Sequence, residues 1–103
     1  MTLINLKFSP DMEQAVIEGR KCCTTRMAQK GNVGDTFLVR DRVYRIVSIL
    51  YVLADEIYEF AMLDGFSNPS DYVSRLRELY NLKSGYILTV HFFAFTGYIE
   101  VEE

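Results

Sequence analysis

Residues 19–26 read Gly19-Arg20-Lys21-Cys22-Cys23-Thr24-Thr25-Arg26, and a second short signal, Gly34-Asp35, follows eight residues later. The octad lies where one periodicity gives way to another. Ahead of it, Ser9-Pro10 predicts a helix start, because serine caps well and proline at the first helical position loses no useful N–H. Met12, Ala15 and Val16 fall at i, i+3 and i+4 and predict the buried stripe of that helix. Gly19 is placed to end it in the left-handed conformation common just past a helix. From Lys21 to Arg26 the residues are rich in Cys and Thr and read as a short strand.

Working outward, Leu3 to Phe8 alternates Leu3, Asn5 and Lys7 with Ile4, Leu6 and Phe8, which predicts a first strand. Ala28 to Asp35 reads as a loop. Thr36–Arg40 and Val43–Leu53 read as strands around a tight turn at Asp41-Arg42, the second becoming continuously apolar as if crossing the sheet centre. Asp55 to Ala61 reads as a short helix or an irregular edge. Asn68-Pro69 repeats the helix-start device, with Asp71 favourably placed in the first turn. Tyr72, Val73, Leu76, Leu79 and Tyr80 then form a helical stripe. Tyr86–Phe95 reads as a long aromatic strand, followed by a Thr96-Gly97 turn and a last strand, Tyr98–Val101. Many short strands and few helices argue against parallel β-α-β winding. They predict an α+β fold: a small open β-barrel of mostly antiparallel strands carrying two main helices, formed by residues 1–103 as a single domain.

Composition limits the possible functions. Half of the 103 residues are apolar and 14% are aromatic, so a core can form without disulfide staples. No run approaches the roughly 18–20 uninterrupted apolar residues of a membrane span, and the first ten residues lack a cleavable signal pattern. A cytoplasmic protein that does not engage membranes is expected. Cys22 and Cys23 are adjacent, which is unsuited to the Cβ separation of about 3.5–4.5 Å that a disulfide needs. With His91 as the lone histidine, a zinc site has too few ligands, and no metal or cofactor is expected. The net charge of −3 conceals an asymmetry. Residues 1–45 hold eight Lys/Arg, including Arg20, Lys21, Arg26 and Arg40, against five acids, whereas residues 46–103 hold only Arg75, Arg77 and Lys83 against nine. A local basic surface able to meet phosphate is compatible with an acidic whole.

The combination Gly19-x-Lys21-x-x-Thr24-x-Arg26, then Gly34-Asp35 and a hairpin, resembles the ASCH domain of the PUA-like superfamily. Asp64-Gly65-Phe66-Ser67, leading into the second helix, is similar to the family's Glu-Gly-Phe segment, and Val90-His91-Phe92 matches its closing strand in place. The resemblance covers about residues 4–95. It implies a PUA-like barrel with a cleft lined by the Lys/Thr/Arg strand and a protein that handles RNA or nucleotides. One branch hydrolyses N4-acetylcytidine with a Lys, a Thr and a Glu, which correspond in this chain to Lys21, Thr24 and Asp64.

Two tasks are therefore weighed for one cleft. As a binder of RNA or of a modified nucleoside, the protein would meet its ligand with Arg20, Lys21, Thr24, Arg26 and Arg40. As an amidohydrolase it would use Thr24 as nucleophile, Lys21 as base and Asp64 as orienting carboxylate. Strand alternation sets a condition on the second task. In a regular strand Lys21, Cys23 and Thr25 share one face while Thr24 and Arg26 share the other. Lys21 and Thr24 converge only through a bulge, or if Lys21 precedes the strand. A third class, a protein-interaction module using the acidic half, remains open. Each residue also has a plainer reading: Lys21 and Arg26 as surface charges, Thr24 as a strand former, Asp64 as the start of an Asp-Gly turn, and His91 as a hydrogen-bonded structural histidine. Phe92, Phe93, Phe95, Tyr44 and Tyr58 are expected mainly to fill the core.

Overall fold

The computed structural model describes residues 2–99. Helix α1 (Pro10–Ile17) begins as its sequence demands: Ser9 caps it, accepting from the Met12 N–H at 3.4 Å, and Pro10 occupies the first turn. Its end explains how the octad is aimed. Gly19 takes φ 81°, its N–H donates to the Val16 carbonyl at 3.1 Å, and the Arg20 N–H donates to the Ala15 carbonyl at 2.9 Å. This paired pattern is the Schellman stop. The Lys21 N–H also reaches the Ala15 carbonyl, at 3.1 Å, so the chain is still turning when Lys21 is reached.

Strand β1 (Cys23–Arg26) starts two residues later than the Cys- and Thr-rich stretch suggests. β2 (Thr36–Val39), β3 (Arg42–Leu53) and β4 (Ile87–Tyr98) complete one antiparallel sheet in the order β1-β4-β3-β2. A 3-10 helix (Ala54–Phe60) and helix α2 (Pro69–Tyr80) lie between β3 and β4 in sequence. Asn68 caps α2 by accepting from the Ser70 N–H at 2.8 Å, and Asn81 ends it at φ 49°. The curled four-stranded antiparallel sheet with its helices is the α+β architecture expected.

Several expectations are corrected. Leu3–Phe8 is extended but not a full strand: it meets β2 in a single parallel bridge, Leu3 to Thr36. The bridge rests on two hydrogen bonds, the Ile4 N–H to the Thr36 carbonyl at 2.7 Å and the Thr36 N–H to the Thr2 carbonyl at 2.9 Å. The segment's alternation is nonetheless used, with Leu6 buried and Ile4 and Phe8 packed on the core. The β2–β3 turn falls at Arg40-Asp41, one residue early, with Arg40 at φ 55°. Thr96-Gly97 is no turn. β4 runs through it to Tyr98, the register shift between Val43 and Tyr44 absorbs the extra residue, and Thr96 Oγ1 donates to the Val43 carbonyl at 3.0 Å. The remainder of the predicted Tyr98–Val101 strand, residues 100 and 101, lies outside the described residues. The apolar second half of β3 does not cross a buried centre either. β2 pairs only with Arg42–Arg45, so beyond it β3 is an edge, and Val47 and Tyr51 are 50% and 65% exposed.

The core divides into two clusters. Leu6, Val16, Phe37, Val39, Tyr44, Ile46 and Phe93 form one, in which Phe37 and Phe93 meet edge to face at 5.2 Å. Cys23, Ile57, Ala61, Tyr72, Leu76, Leu88 and Val90 form the other, under the 3-10 helix and α2. Phe8 belongs to the border of the first and Tyr72 to the second, and Lys21 lies between them. No helix among the described residues is long and apolar enough to cross a membrane.

Candidate functional site

The end of α1 delivers Lys21 to a place where sheet alternation does not yet apply. Lys21 forms an isolated antiparallel bridge with Asp64, and the N–H groups of both Cys22 and Cys23 point at the Leu63 carbonyl, at 2.7 and 3.2 Å. Two successive donors on one acceptor mark a local irregularity, after which β1 becomes regular. Lys21 and Thr24 therefore line the same cleft despite their odd spacing.

Lys21 and Asp64 are each only 4% exposed. The Lys21 ammonium donates to Asp64 Oδ1 and, at 3.1 Å, to the Asp64 carbonyl. Asp64 Oδ2 accepts from Thr25 Oγ1 at 2.8 Å. Thr25 Oγ1 is in turn 2.6 Å from the Tyr72 hydroxyl. Because a hydroxyl has one proton to give and Thr25 gives it to the carboxylate, Tyr72 is the donor in that last bond. The result is a directional chain, Tyr72 to Thr25 to Asp64, ending on the carboxylate, which also accepts from the Lys21 ammonium. Among the described residues no buried side-chain polar atom lacks a partner, so the buried charges satisfy the condition for tolerating burial. Burial, followed by the Asp64 carboxylate, pushes the Tyr72 hydroxyl and the Cys23 thiol well above their ordinary ranges, and both stay neutral. Gly65 is required beside this pair: its φ is 92°, and a Cβ there would stand 3.1 Å from the Lys21 Cβ.

The cleft they floor has a volume of about 90 Å³. That is well below the several hundred Å³ that engulf a drug-sized ligand, so a ligand would be gripped by one end. Phe8, Phe66, Met12, Leu76 and Leu79 give it apolar walls. Lys7, Arg26 and Arg75 join Lys21 as its cations, and Asp64 is the lone acid in the lining. The Arg26 guanidinium stands 5.4 Å from the centre of the Phe8 ring and donates to the Lys7 carbonyl at 3.0 Å. Thr24 lines the cleft, and its hydroxyl, which makes no protein hydrogen bond among the described residues, is open to that cleft and not shut in the interior.

Of the residues singled out from sequence, Lys21, Thr24, Arg26 and Asp64 converge at this cleft. Arg20 and Arg40 do not. Arg20 is an exposed partner of Glu18 at 2.7 Å, and Arg40, in the β2–β3 turn, reaches Gln14 at 3.3 Å and Glu13 at 3.8 Å. Both are near α1 in sequence or space but outside the cleft lining. Sequence reasoning missed Thr25, whose hydroxyl, not that of Thr24, bonds Asp64. It also read Tyr72 and Phe8 only as periodic core positions and gave no role to Lys7 or Arg75. Among the described residues no group of three His, Cys, Asp or Glu side chains is placed to hold a metal ion.

His91 is fully buried and bonded on both sides. Its Nε2 accepts from the Lys30 N–H at 2.9 Å and its Nδ1 lies 3.2 Å from the Thr24 carbonyl. An accepting Nε2 leaves the proton on Nδ1, so the ring is neutral and donates to Thr24. Burial lowers its pKa below the ordinary histidine value.

No family model matches this sequence, and no curated protein matches it. Solved structures do match its fold. An ASCH domain from Lactobacillus crispatus superposes with a TM-score of 0.77 at 10% identity, over 91% of this chain and 79% of that one. A protein from Enterococcus faecalis of the DUF984 family gives a TM-score of 0.64 at 16% identity, over 99% and 83%. An ASCH protein from Zymomonas mobilis gives a TM-score of 0.64 at 11% identity, over 89% of this chain and 65% of that one. The chain thus has the fold of ASCH domains, as the Gly-x-Lys-x-x-Thr-x-Arg resemblance implied.

Proposed function

We propose that this ASCH-fold chain binds RNA, or a nucleoside-sized piece of it, in the cleft over Lys21 and Asp64. One observation carries the reading. Lys7, Arg26 and Arg75 surround a small apolar slot whose lone carboxylate is already occupied by Lys21 and Thr25. Three cations with no acid facing them within the lining suit phosphate, and Phe8 and Phe66 offer ring surface to a base. An acidic protein with a net charge of −3 reaches an anionic ligand through such a local patch rather than through its overall field.

The test is a titration of labelled single-stranded RNA at two salt concentrations. Affinity is expected to fall as salt rises, and Arg26→Ala to weaken binding while reducing the slope of log K against log salt by about 0.7. Binding indifferent to both salt and Arg26 would remove this reading.

A second reading is favoured by one feature: Thr24 offers an unengaged hydroxyl in the cleft that holds Lys21. In an amidohydrolase acting on N4-acetylcytidine, the Lys21 ammonium would first pass a proton to its Asp64 partner, and the amine so formed would take the Thr24 hydroxyl proton as Thr24 Oγ bonds to the acetyl carbon. The C–N bond would then break, the amine leaving with that proton, and water would cleave the acetyl ester to restore Thr24. Asp64 would hold Lys21 in place. Release of cytidine by the wild type and its loss in Thr24→Val support this chemistry. Thr24→Val is close in shape and removes no side-chain hydrogen bond within the described residues, so it isolates the hydroxyl. A wild type inert towards N4-acetylcytidine rules the chemistry out for that substrate.

A further inference from the structure

A second hollow adjoins the cleft and shares two of its residues. Lys7 and Arg26 line both, and beyond them the surface continues past Asn5, Leu6, Lys30 and Tyr80. This second lining holds three cations and no acid. Its aromatic, Tyr80, stands near the end of α2 and packs against the second core cluster while remaining partly exposed. An anchored ring of this kind can present a face to a base at little entropic cost. Lys30 is exposed, and no ion pair engages it among the described residues.

The two hollows are fixed relative to each other from beneath. His91 holds the Thr24 carbonyl with one ring nitrogen and the Lys30 N–H with the other. Thr24 lines the first hollow and Lys30 the second, so one buried side chain ties the cleft strand to the loop that carries Lys30. The Arg26 guanidinium, docked on Phe8 and the Lys7 carbonyl, stands at the boundary.

We infer that the second hollow is a neighbouring-nucleotide subsite, so that the ligand is a single-stranded polynucleotide of at least two residues rather than a free nucleoside. The base held in the cleft is followed by a phosphate at Lys7 and Arg26. The next nucleotide lies over Tyr80 with its phosphate at Lys30. The inference rests on the RNA-binding reading of the cleft and specifies the ligand's length and its path across the surface.

The test compares 5′-fluorescein-labelled oligouridines of one, two and four residues, each ending in a 3′-phosphate so that the two-residue ligand carries both phosphates, by anisotropy at two salt concentrations. Affinity is expected to rise roughly tenfold between one and two residues, the scale of one stacked base. Lys30→Ala and Tyr80→Ala should shrink that step, whereas Tyr80→Phe should keep it. Lys30→Ala should also lower the salt slope for the two-residue ligand by about 0.7, which a purely structural role would not do. A two-residue ligand that binds no tighter than one residue overturns the subsite, as does a step unaltered by both alanine variants. If those results come with binding that still depends on Arg26, the cleft reading survives alone. If no oligouridine binds at all, both fall.

Discussion

Lys21 and Asp64 are joined twice, first by an isolated backbone bridge and again by the Lys21 ammonium on the Asp64 carboxylate, with both side chains almost wholly buried. The backbone bridge fixes where the two residues sit, and the ion pair fixes where their charges point. Thr25 completes the carboxylate's coordination from the adjacent strand and Tyr72 supports Thr25 from α2. The floor of the cleft is therefore assembled from three separate stretches of chain. Its geometry depends on the long-range fold rather than on the octad alone.

Breaking this pair from one side leaves an uncompensated buried charge. Asp64→Asn is expected to cost about 3–5 kcal/mol of stability. The double variant Lys21→Met/Asp64→Asn should lose clearly less than the sum of the two single losses, since neither charge is then stranded. Urea denaturation of the four proteins measures the cycle. Additivity within about 0.5 kcal/mol would show that the two residues do not act as a pair.

Thr25 and Tyr72 are expected to differ in a defined order. Tyr72→Phe removes one hydrogen bond and leaves Thr25 bonded to Asp64, a loss of about 1 kcal/mol. Thr25→Val keeps the shape but deprives Asp64 Oδ2 of its donor and the Tyr72 hydroxyl of its acceptor. With two buried groups affected, its cost should be about 2–4 kcal/mol. Equal losses in thermal melts of the two variants would mean that the chain of donors does not run from Tyr72 through Thr25 to Asp64.

His91 makes stability depend on pH in a window set by its lowered folded-state pKa. In the unfolded chain the ring takes up a proton near its ordinary value of 6.5, whereas the folded ring resists protonation. Below that value the unfolded state binds more protons, so this contribution to stability falls as pH drops from about 6.5 towards the folded pKa. Above 6.5 the contribution is constant. The variant His91→Gln should flatten the slope of unfolding free energy between about pH 5 and 7 relative to wild type. Parallel slopes in the two proteins would exclude the assignment.

Much of the local structure was legible because it depends on a few neighbouring residues. Ser9-Pro10 and Asn68-Pro69 start helices by the caps their residue types allow, and Gly19 stops the first with a Schellman pattern. Met12, Ala15, Val16, Tyr72 and Leu76 follow a 3.6-residue period set by one apolar face. Arg20 and Arg40 fall outside the cleft lining, because charge and proximity in sequence do not specify which way a side chain leaves a helix end or a turn. The apolar run of β3 was misjudged for a related reason: burial depends on whether a neighbouring strand is present, and β2 is too short to provide one.

The octad itself shows where the division lies. Sequence alone determined that a helix ends at Gly19 and that a short strand follows, and it offered Lys21, Thr24 and Arg26 as candidates, to which the ASCH resemblance added Asp64. Only the tertiary structure decided that Lys21 stands before the regular strand and so shares a cleft with Thr24. It also decided that Asp64 bonds Thr25, and that Lys7, Phe8, Tyr72 and Arg75 complete the site. The physical reason is range. Caps and periodicity act over about four residues, whereas the cleft joins the N-terminal segment, β1, the Asp64 turn and α2, whose meeting is set by the packing of two separate core clusters.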